Sequence, residues 1–306
     1  MRIFLTGGTG YVGTAVLDAL LRGGHQVTAL VRDPEKAERM ARRGVQPVVG
    51  ELAAPKAYAA AAEACDGIIH TAYEYSKRGP EVDRAAIDTF VAVARRRAGA
   101  AGRPPFLVYT SGIWVLGKTS RPADEEASLN PAALVAWRPG HERVVLEAGA
   151  GGTIRTAVVR PGIVYGGSRG IIGDMLKDAG NGLVRVIGTG KNHWPCVYDR
   201  DLADLYLRLA MQPDASGVFH ANDEGDERVN DIAEAIARQA KTPADIRHVP
   251  LEEARAKMGE YADALALDQK VRSPRARALG WSPALRSVAG NVARLLEEYR
   301  NAREAA

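Results

Sequence analysis

Cysteine is nearly absent from the 306-residue chain, which holds only Cys65 and Cys196. Neither belongs to a CxxC pair or a Cys/His ligand set, so a disulfide framework and a zinc site are both excluded, and no metal is expected. Apolar runs of the ~20 residues that span a bilayer are missing as well. The apolar stretch after Met1 is too short for a signal-peptide core. These absences lead us to expect reduced thiols in a cytoplasmic protein with no membrane partner. Charge of one sign is also lacking: 41 basic residues face 37 acidic ones, a net +4. The basic residues are scattered, Arg95–Arg97 being the tightest run, and aromatics make up only 6%. A nucleic-acid partner needs a concentrated basic stripe, and none is present.

What is present is an ordinary globular composition, 46% hydrophobic and 25% charged. Short β-branched segments at Arg2–Thr6, Gln26–Val31, Val45–Val49, Gly67–Thr71 and Phe106–Thr110 are apolar on both faces. Strands buried on both sides of a parallel sheet have this pattern. Helical patterns at Val12–Arg22, Pro34–Arg43, Tyr58–Ala64 and Glu81–Ala98 separate them, and a helix at Pro139–Ala148 and a strand at Thr156–Arg160 continue the rhythm. The alternation predicts an α/β fold with a doubly wound parallel sheet of Rossmann type. After Arg160 the rhythm breaks. A Gly-rich loop, a short strand at Leu183–Ile187 and helices at Asp199–Met211, Val229–Gln239, Leu251–Met258 and Ser287–Ala302 suggest a smaller, mainly helical C-terminal lobe. The expected division is a dinucleotide-binding domain over 1–165, with 195–222 returning to it, and a substrate lobe over 166–194 and 223–306.

The segment Thr6-Gly-Gly-Thr-Gly-Tyr-Val-Gly13 follows the first strand directly and opens a helix. A tight turn needs positive φ, and a backbone that must approach a pyrophosphate has no room for a Cβ. The helix N-terminus then offers free N–H groups and partial positive charge to phosphates. Gly7, Thr9, Gly10, Tyr11, Val12 and Gly13 are therefore the candidate phosphate-binding residues. The second strand ends Val31-Arg32-Asp33. A carboxylate at this tip holds the ribose hydroxyls of NAD, whereas an Arg nearby suits the 2′-phosphate of NADP. Arg32 favours NADP(H). Asp33 keeps NAD(H) open, although its place before Pro34 suits a helix N-cap.

TGGTGYVG, Gly50-Glu51-Leu52, Ile69–Ala72, Val108–Ser111, Arg160–Gly166 and Val197–Leu205 together resemble the extended short-chain dehydrogenase/reductase superfamily, the group of nucleotide-sugar epimerases and dehydratases. The resemblance runs from Met1 to about Met211. It implies that Glu51, in place of the usual Asp, and Leu52 cup the adenine. It also implies that Thr71, Ala72, Thr110 and Ser111 flank the ribose and nicotinamide, and that Pro161, Gly162 and Ile163 lie beside the carboxamide. A dimer through two long helices bordering the sheet is implied by the same analogy.

The chain departs from that superfamily where its catalysts stand. The usual pair is Tyr-x-x-x-Lys on the helix after the fifth strand, in which the Tyr exchanges a proton with the substrate and the Lys lowers its pKa. Here the helix reads Val135-Ala-Trp-Arg-Pro-Gly-His-Glu142, with Trp137 in the Tyr slot and His141 in the Lys slot. An indole N–H donates a hydrogen bond but does not shuttle a proton near neutral pH. Substitute acids are Tyr73 or Tyr75 after the fourth strand, Tyr165 in RPGIVYGG, and His141, since an unperturbed imidazole titrates in the right range. Ser111 is a candidate for polarising a carbonyl. Farther on, His193 and Trp194 are expected at a cleft, and His220 and Asn222 lie just past a strand end. Three functions remain open: an NADP(H)-dependent reductase of a small organic carbonyl, a nucleotide-sugar epimerase or dehydratase, and a non-catalytic NADP(H)-binding redox sensor.

Overall fold

The computed structural model describes residues 1–98, 104–240 and 243–304. Its first stretch alternates strand and helix: β1 (Arg2–Thr6), α1 (Tyr11–Arg22), β2 (Gln26–Val31), α2 (Pro34–Arg42), β3 (Gln46–Val49), α3 (Ala59–Glu63), β4 (Gly67–His70), α4 (Gly79–Ala98), β5 (Phe106–Thr110), α5 (Arg138–Gly149) and β6 (Arg155–Pro161). Shorter pieces follow: β7 (Ile163–Tyr165), α6 (Gly170–Gly180), β8 (Leu183–Ile187), β9 (His193–Trp194) and β10 (Cys196–Tyr198). The chain then runs through α7 (Asp199–Met211), β11 (Gly217–Ala221), β12 (Glu227–Arg228), α8 (Val229–Gln239) and β13 (Asp245–Val249). It ends in α9 (Leu251–Met258), α10 (Glu260–Leu265), α11 (Pro274–Ala278) and α12 (Val292–Glu304).

Seven strands form one sheet in the order β11-β6-β5-β4-β1-β2-β3. The pairs β1–β2, β1–β4, β2–β3, β4–β5 and β5–β6 are all parallel. This is the doubly wound order expected from the alternation, and its direction reverses between β1 and β4. Ile3, Phe4, Leu5, Ile68, Ile69, Leu107, Val108, Val158 and Val159 are buried, as two-sided coverage by helices requires. Phe4, Tyr58 and Phe90 form an aromatic cluster with centroids 5.7–6.1 Å apart.

The chain divides into two compact units of about equal length. The first comprises Met1–Ser111, Trp137–Arg160 and Ala203–Phe219; the second comprises Gly112–Ala136, Pro161–Leu202 and His220–Ala306. The second unit contains helices, as expected, and also two-stranded sheets that the sequence reading missed. β13 pairs with β8, β10 with β7 and β12 with β9. Asp245, Arg247 and His248 are exposed on β13, so that strand has no apolar run to betray it. The last helix begins at Val292, not Ser287. The Glu227 carboxylate accepts from the Ser287 hydroxyl and from the N–H groups of Val288 and Ala289, which holds a turn ahead of the helix.

Candidate functional site

Thr6 ends β1 at the point where the sheet order reverses, and the glycine turn starts there. Gly7 sits at φ +77°, and its carbonyl accepts from the Gly10 N–H at 2.7 Å. A Cβ on Gly7 would meet the Ala72 N at 2.7 Å, and one on Gly13 would meet the Gly7 O at 2.0 Å. Both contacts are with backbone, so neither glycine tolerates a side chain in this turn. No side chain caps α1, and its first turn holds no acidic residue. The N-terminus of α1, with the N–H groups of Val12 and Gly13, therefore carries the partial positive charge of a helix start. Thr9 stands exposed at the tip of the turn. On β4's side, the Thr71 hydroxyl donates to the Thr6 carbonyl at 2.7 Å, and the Ala72 N–H donates to Thr6 Oγ1 at 3.3 Å.

At the tip of β2, Arg32 is exposed and makes no hydrogen bond, ion pair or ring contact among the described residues. Asp33 caps α2, its Oδ1 accepting from the N–H groups of Glu35 and Lys36 at 2.9 and 3.2 Å. Of the two groups in competition, the cation is unengaged and the carboxylate is occupied. Beyond β3, Glu51 is exposed, while Leu52 is buried and its carbonyl accepts from the Tyr58 hydroxyl at 3.0 Å.

The first unit encloses a polar node that the sequence reading did not find. Asp83, on α4, is buried, and its Oδ2 accepts from the Tyr109 hydroxyl at 2.9 Å and from His141 Nδ1 at 2.8 Å. An ionised carboxylate only accepts, so the proton of this last bond lies on Nδ1. His70 Nε2 is 3.3 Å from Asp83 Oδ1, close enough for ionic attraction but not aligned as a hydrogen bond. Its Nδ1 bonds Thr6 Oγ1 at 2.6 Å, which links the node to the glycine turn. Arg138 donates to the Tyr109 hydroxyl at 3.3 Å and to the Thr110 carbonyl at 3.1 Å. Burial alone would raise the Asp83 carboxyl; the hydrogen bond from His141, the close His70 ring and the charge of Arg138 outweigh it and hold the group well below the usual carboxylate range. Burial pushes the Tyr109 phenol well above its ordinary value.

Trp137 and His141 lie one turn apart at the start of α5, which has a proline in its first turn as expected. Their rings meet edge to face at 4.8 Å. Tyr73 stacks on Trp137 at 5.3 Å and 9°, with the Arg138 guanidinium 4.4 Å from the indole centroid. Burial raises the Tyr73 phenol, and Tyr75 is 95% exposed, edge-on to Tyr73. The Ser111 hydroxyl donates in a short contact to Glu142, which also takes a two-pronged bond from Arg160, with Nη2 to Oε2 at 2.6 Å. All three residues are buried. The one proton Ser111 has to give goes to Glu142. Thr110 Oγ1 bonds the buried Tyr206 hydroxyl at 2.6 Å.

In the second unit, the Gly162 N–H donates to the Ala221 carbonyl and the Ile163 N–H to the Pro195 carbonyl, at 2.9 and 2.7 Å, directly after Pro161. Tyr165 is fully buried, and its hydroxyl donates to Asp223 Oδ2 at 3.4 Å and to the Leu285 carbonyl at 3.3 Å. Burial pushes Asp223 up to about 7. Trp194, expected at a cleft, is instead buried with its indole N–H on the Leu265 carbonyl; its large apolar ring joins the core of this unit. His193 is half-buried and bonds Asp268 at 2.8 Å. His220 and Asn222 are enclosed, the first bonding Glu125 and the Arg272 carbonyl, the second Val271 and Ser273. The rim location that suggested a function for them does not hold, because the following chain covers it.

The signal for the missed residues is faint. Asp83 lies on the buried stripe of α4 with Ala86, Ile87 and Phe90, where a charge has no ordinary place. No helix among the described residues is long and apolar enough to cross a membrane, and no group of three or more His, Cys, Asp or Glu among them is placed to hold a metal ion.

An uncapped helix behind a glycine turn, at the switch point of a parallel sheet, defines a dinucleotide-binding Rossmann protein. The turn accommodates such a cofactor because Gly7, Gly10 and Gly13 meet backbone where a side chain would go. The model of the NAD dependent epimerase/dehydratase family matches residues 3–221, and the chain belongs to that family. Within it, the chain is an atypical extended short-chain dehydrogenase/reductase without Tyr-x-x-x-Lys. An uncharacterized protein of Schizosaccharomyces pombe is 29% identical over 92% of this chain and 95% of its own length. A Stigmatella aurantiaca protein named as a 4-hydroxy-2-methyl-3-oxo-4-farnesyl-3,4-dihydroquinoline-1-oxide ketoreductase is 27% identical over 84% of this chain and 78% of its own. In fold, the chain is similar to the human epimerase family protein SDR39U1 with NADPH: TM-score 0.77, 22% identity, 97% and 99% of the two chains covered. It is similar also to Thermus thermophilus UDP-glucose 4-epimerase with NAD: TM-score 0.82, 17% identity, 99% and 100% covered.

Proposed function

We propose that the protein is an NADP(H)-dependent oxidoreductase that reduces a small organic carbonyl. The observation that carries the cofactor preference is the tip of β2, where Arg32 is unengaged and Asp33 is committed to capping α2. A 2′-phosphate would take the guanidinium as its partner. Gly7, Thr9, Gly10, Tyr11, Val12 and Gly13 would hold the pyrophosphate, Glu51 and Leu52 the adenine, and Thr71, Ala72, Thr110 and Trp137 the ribose and nicotinamide. Pro161, Gly162 and Ile163 keep the carboxamide role implied by resemblance, and 166–194 with 223–306 that of the substrate lobe. The bound cofactor supplies the hydride; the chain's own task is to hold, orient and protonate. His141 is the best-supported acid. The Ser111 hydroxyl is committed to Glu142, Tyr165 is enclosed, and Tyr73 stacks flat on Trp137 with its phenol raised by burial. Reduction is supported by the ketoreductase relative and by a second one, named as a 2-alkyl-3-oxoalkanoate reductase of Stenotrophomonas maltophilia, which is 30% identical over 71% of this chain and 67% of its own.

Titrating the purified protein with NADPH and NADH, then following NADPH oxidation against a panel of ketones, tests the reading. Arg32→Ala should weaken NADPH about 10–100-fold, the worth of a charged hydrogen bond, and leave NADH little changed. Equal losses for the two cofactors would remove Arg32 from its role. Tight NADPH binding with no oxidation across the panel would favour the redox sensor, the second reading that Trp137 in the Tyr slot keeps alive.

A further inference from the structure

We infer that Asp83 is the positioning carboxylate of an Asp–His acid that replaces the missing Tyr–Lys pair. The inference rests on the reading of the protein as a carbonyl reductase and deepens it. A carboxylate on the apolar stripe of a helix is costly to bury unless donors surround it. Here α4 supplies Asp83, β4 supplies His70, β5 supplies Tyr109, and α5 supplies His141 and Arg138, so four elements converge on one group. A purely structural node would use up its donors. This one leaves a working end: His141 gives Nδ1–H to Asp83, while its Nε2 has no hydrogen-bond partner among the described residues.

The geometry also explains why the ring is useful as it stands. Asp83 fixes the tautomer and the orientation of the imidazole and steadies the cation formed when Nε2 gains a proton. Trp137, edge-on at 4.8 Å, restrains the ring from the preceding turn and carries no transferable proton of its own. His70 on the far carboxylate oxygen, Tyr109 on the near one and Arg138 behind Tyr109 complete the charged and titratable surroundings. In the step this permits, the carbonyl carbon takes a hydride from the reduced nicotinamide, and the carbonyl π pair moves to oxygen. That oxygen takes the Nε2 proton. The imidazole ends neutral, with Nδ1–H still on Asp83, and regains its proton from water. The products are the alcohol and the oxidised nicotinamide.

The test uses the full chain labelled with ¹⁵N-histidine, together with Asp83→Asn. The wild-type spectrum should show His141 protonated at Nδ1, with Nε2 gaining its proton as pH falls. In D83N that tautomer preference should be lost. With a substrate found by the panel, kcat of D83N should fall about 10²–10⁴-fold, the usual worth of general acid catalysis. NADPH affinity should stay within about threefold, since uniform binding is untouched. A wild-type His141 bare at Nδ1 overturns the inference. So does a D83N protein that melts lower but keeps its kcat. If D83N does not fold, the wild-type spectrum decides. If no carbonyl is reduced at all, the functional reading falls, while the spectrum still settles whether the pair exists.

Discussion

Asp83 and Glu142 are both buried carboxylates of the first compact unit, and their surroundings differ in one respect. Glu142 is closed: Arg160 donates to both its oxygens in three contacts and Ser111 adds a fourth. Asp83 is open at one remove, because the histidine that serves it keeps a second nitrogen unbonded among the described residues. A closed ion pair holds chain together, whereas an open-ended one also presents an oriented ring nitrogen to whatever arrives. Polar burial alone therefore does not distinguish the two carboxylates; the unbonded ring nitrogen at the edge of one of them is what makes it the candidate.

The comparison breaks most visibly at His141. His141→Gln can still donate an amide N–H to Asp83 but has no ionisable nitrogen to protonate a substrate. Turnover should fall about 10²–10⁴-fold, while the denaturation midpoint should change little. Steady-state rates beside urea unfolding read both quantities. A variant that loses stability but keeps its rate would put Asp83 and Glu142 in the same structural category.

Glu142→Gln should show the reverse profile. It removes the charge opposite the buried Arg160 guanidinium, a loss of about 3–5 kcal/mol for breaking a buried pair. Urea unfolding at neutral pH measures it. A loss below ~1 kcal/mol would mean that the Arg160–Glu142 pair does not hold this part of the chain together.

The legible parts of this site are the local ones. A glycine turn announces itself because glycines are demanded within seven residues of one another, and the Asp33 cap because its donors lie two and three residues on. The sheet was legible for the same reason, since two-sided burial writes itself into each strand separately. The Asp83 node was not: Tyr109 lies 26 residues from Asp83 and His141 lies 58 away, and only the fold brings them together. Ser111 and Glu142, 31 apart, were hidden in the same way, so Ser111 read as a free hydroxyl. Tyr165 looked available because glycines follow it, yet those glycines say nothing of the chain that packs over its ring. The β8–β13 pair escaped because an exposed strand needs only backbone partners.

Tyr165 sharpens the comparison from the second unit, with the smallest effect. Its hydroxyl makes two long bonds, to Asp223 and to the Leu285 carbonyl. Tyr165→Phe should cost about 1 kcal/mol, the net worth of an ordinary hydrogen bond, with turnover intact. Asp223 adds a pH signature. Burial pushes its carboxyl up to about 7, so its contribution to stability is fully present below the unfolded value near 4 and is lost as pH rises through about 7. Below 7 the tyrosine donates to a mostly neutral acid; above 7 it donates to a charged carboxylate, which makes the stronger bond. The cost of Tyr165→Phe should therefore be larger at pH 8 than at pH 5 when urea unfolding is compared at the two. A cost independent of pH would uncouple Tyr165 from Asp223, and a collapse of turnover would return this tyrosine to the catalytic machinery.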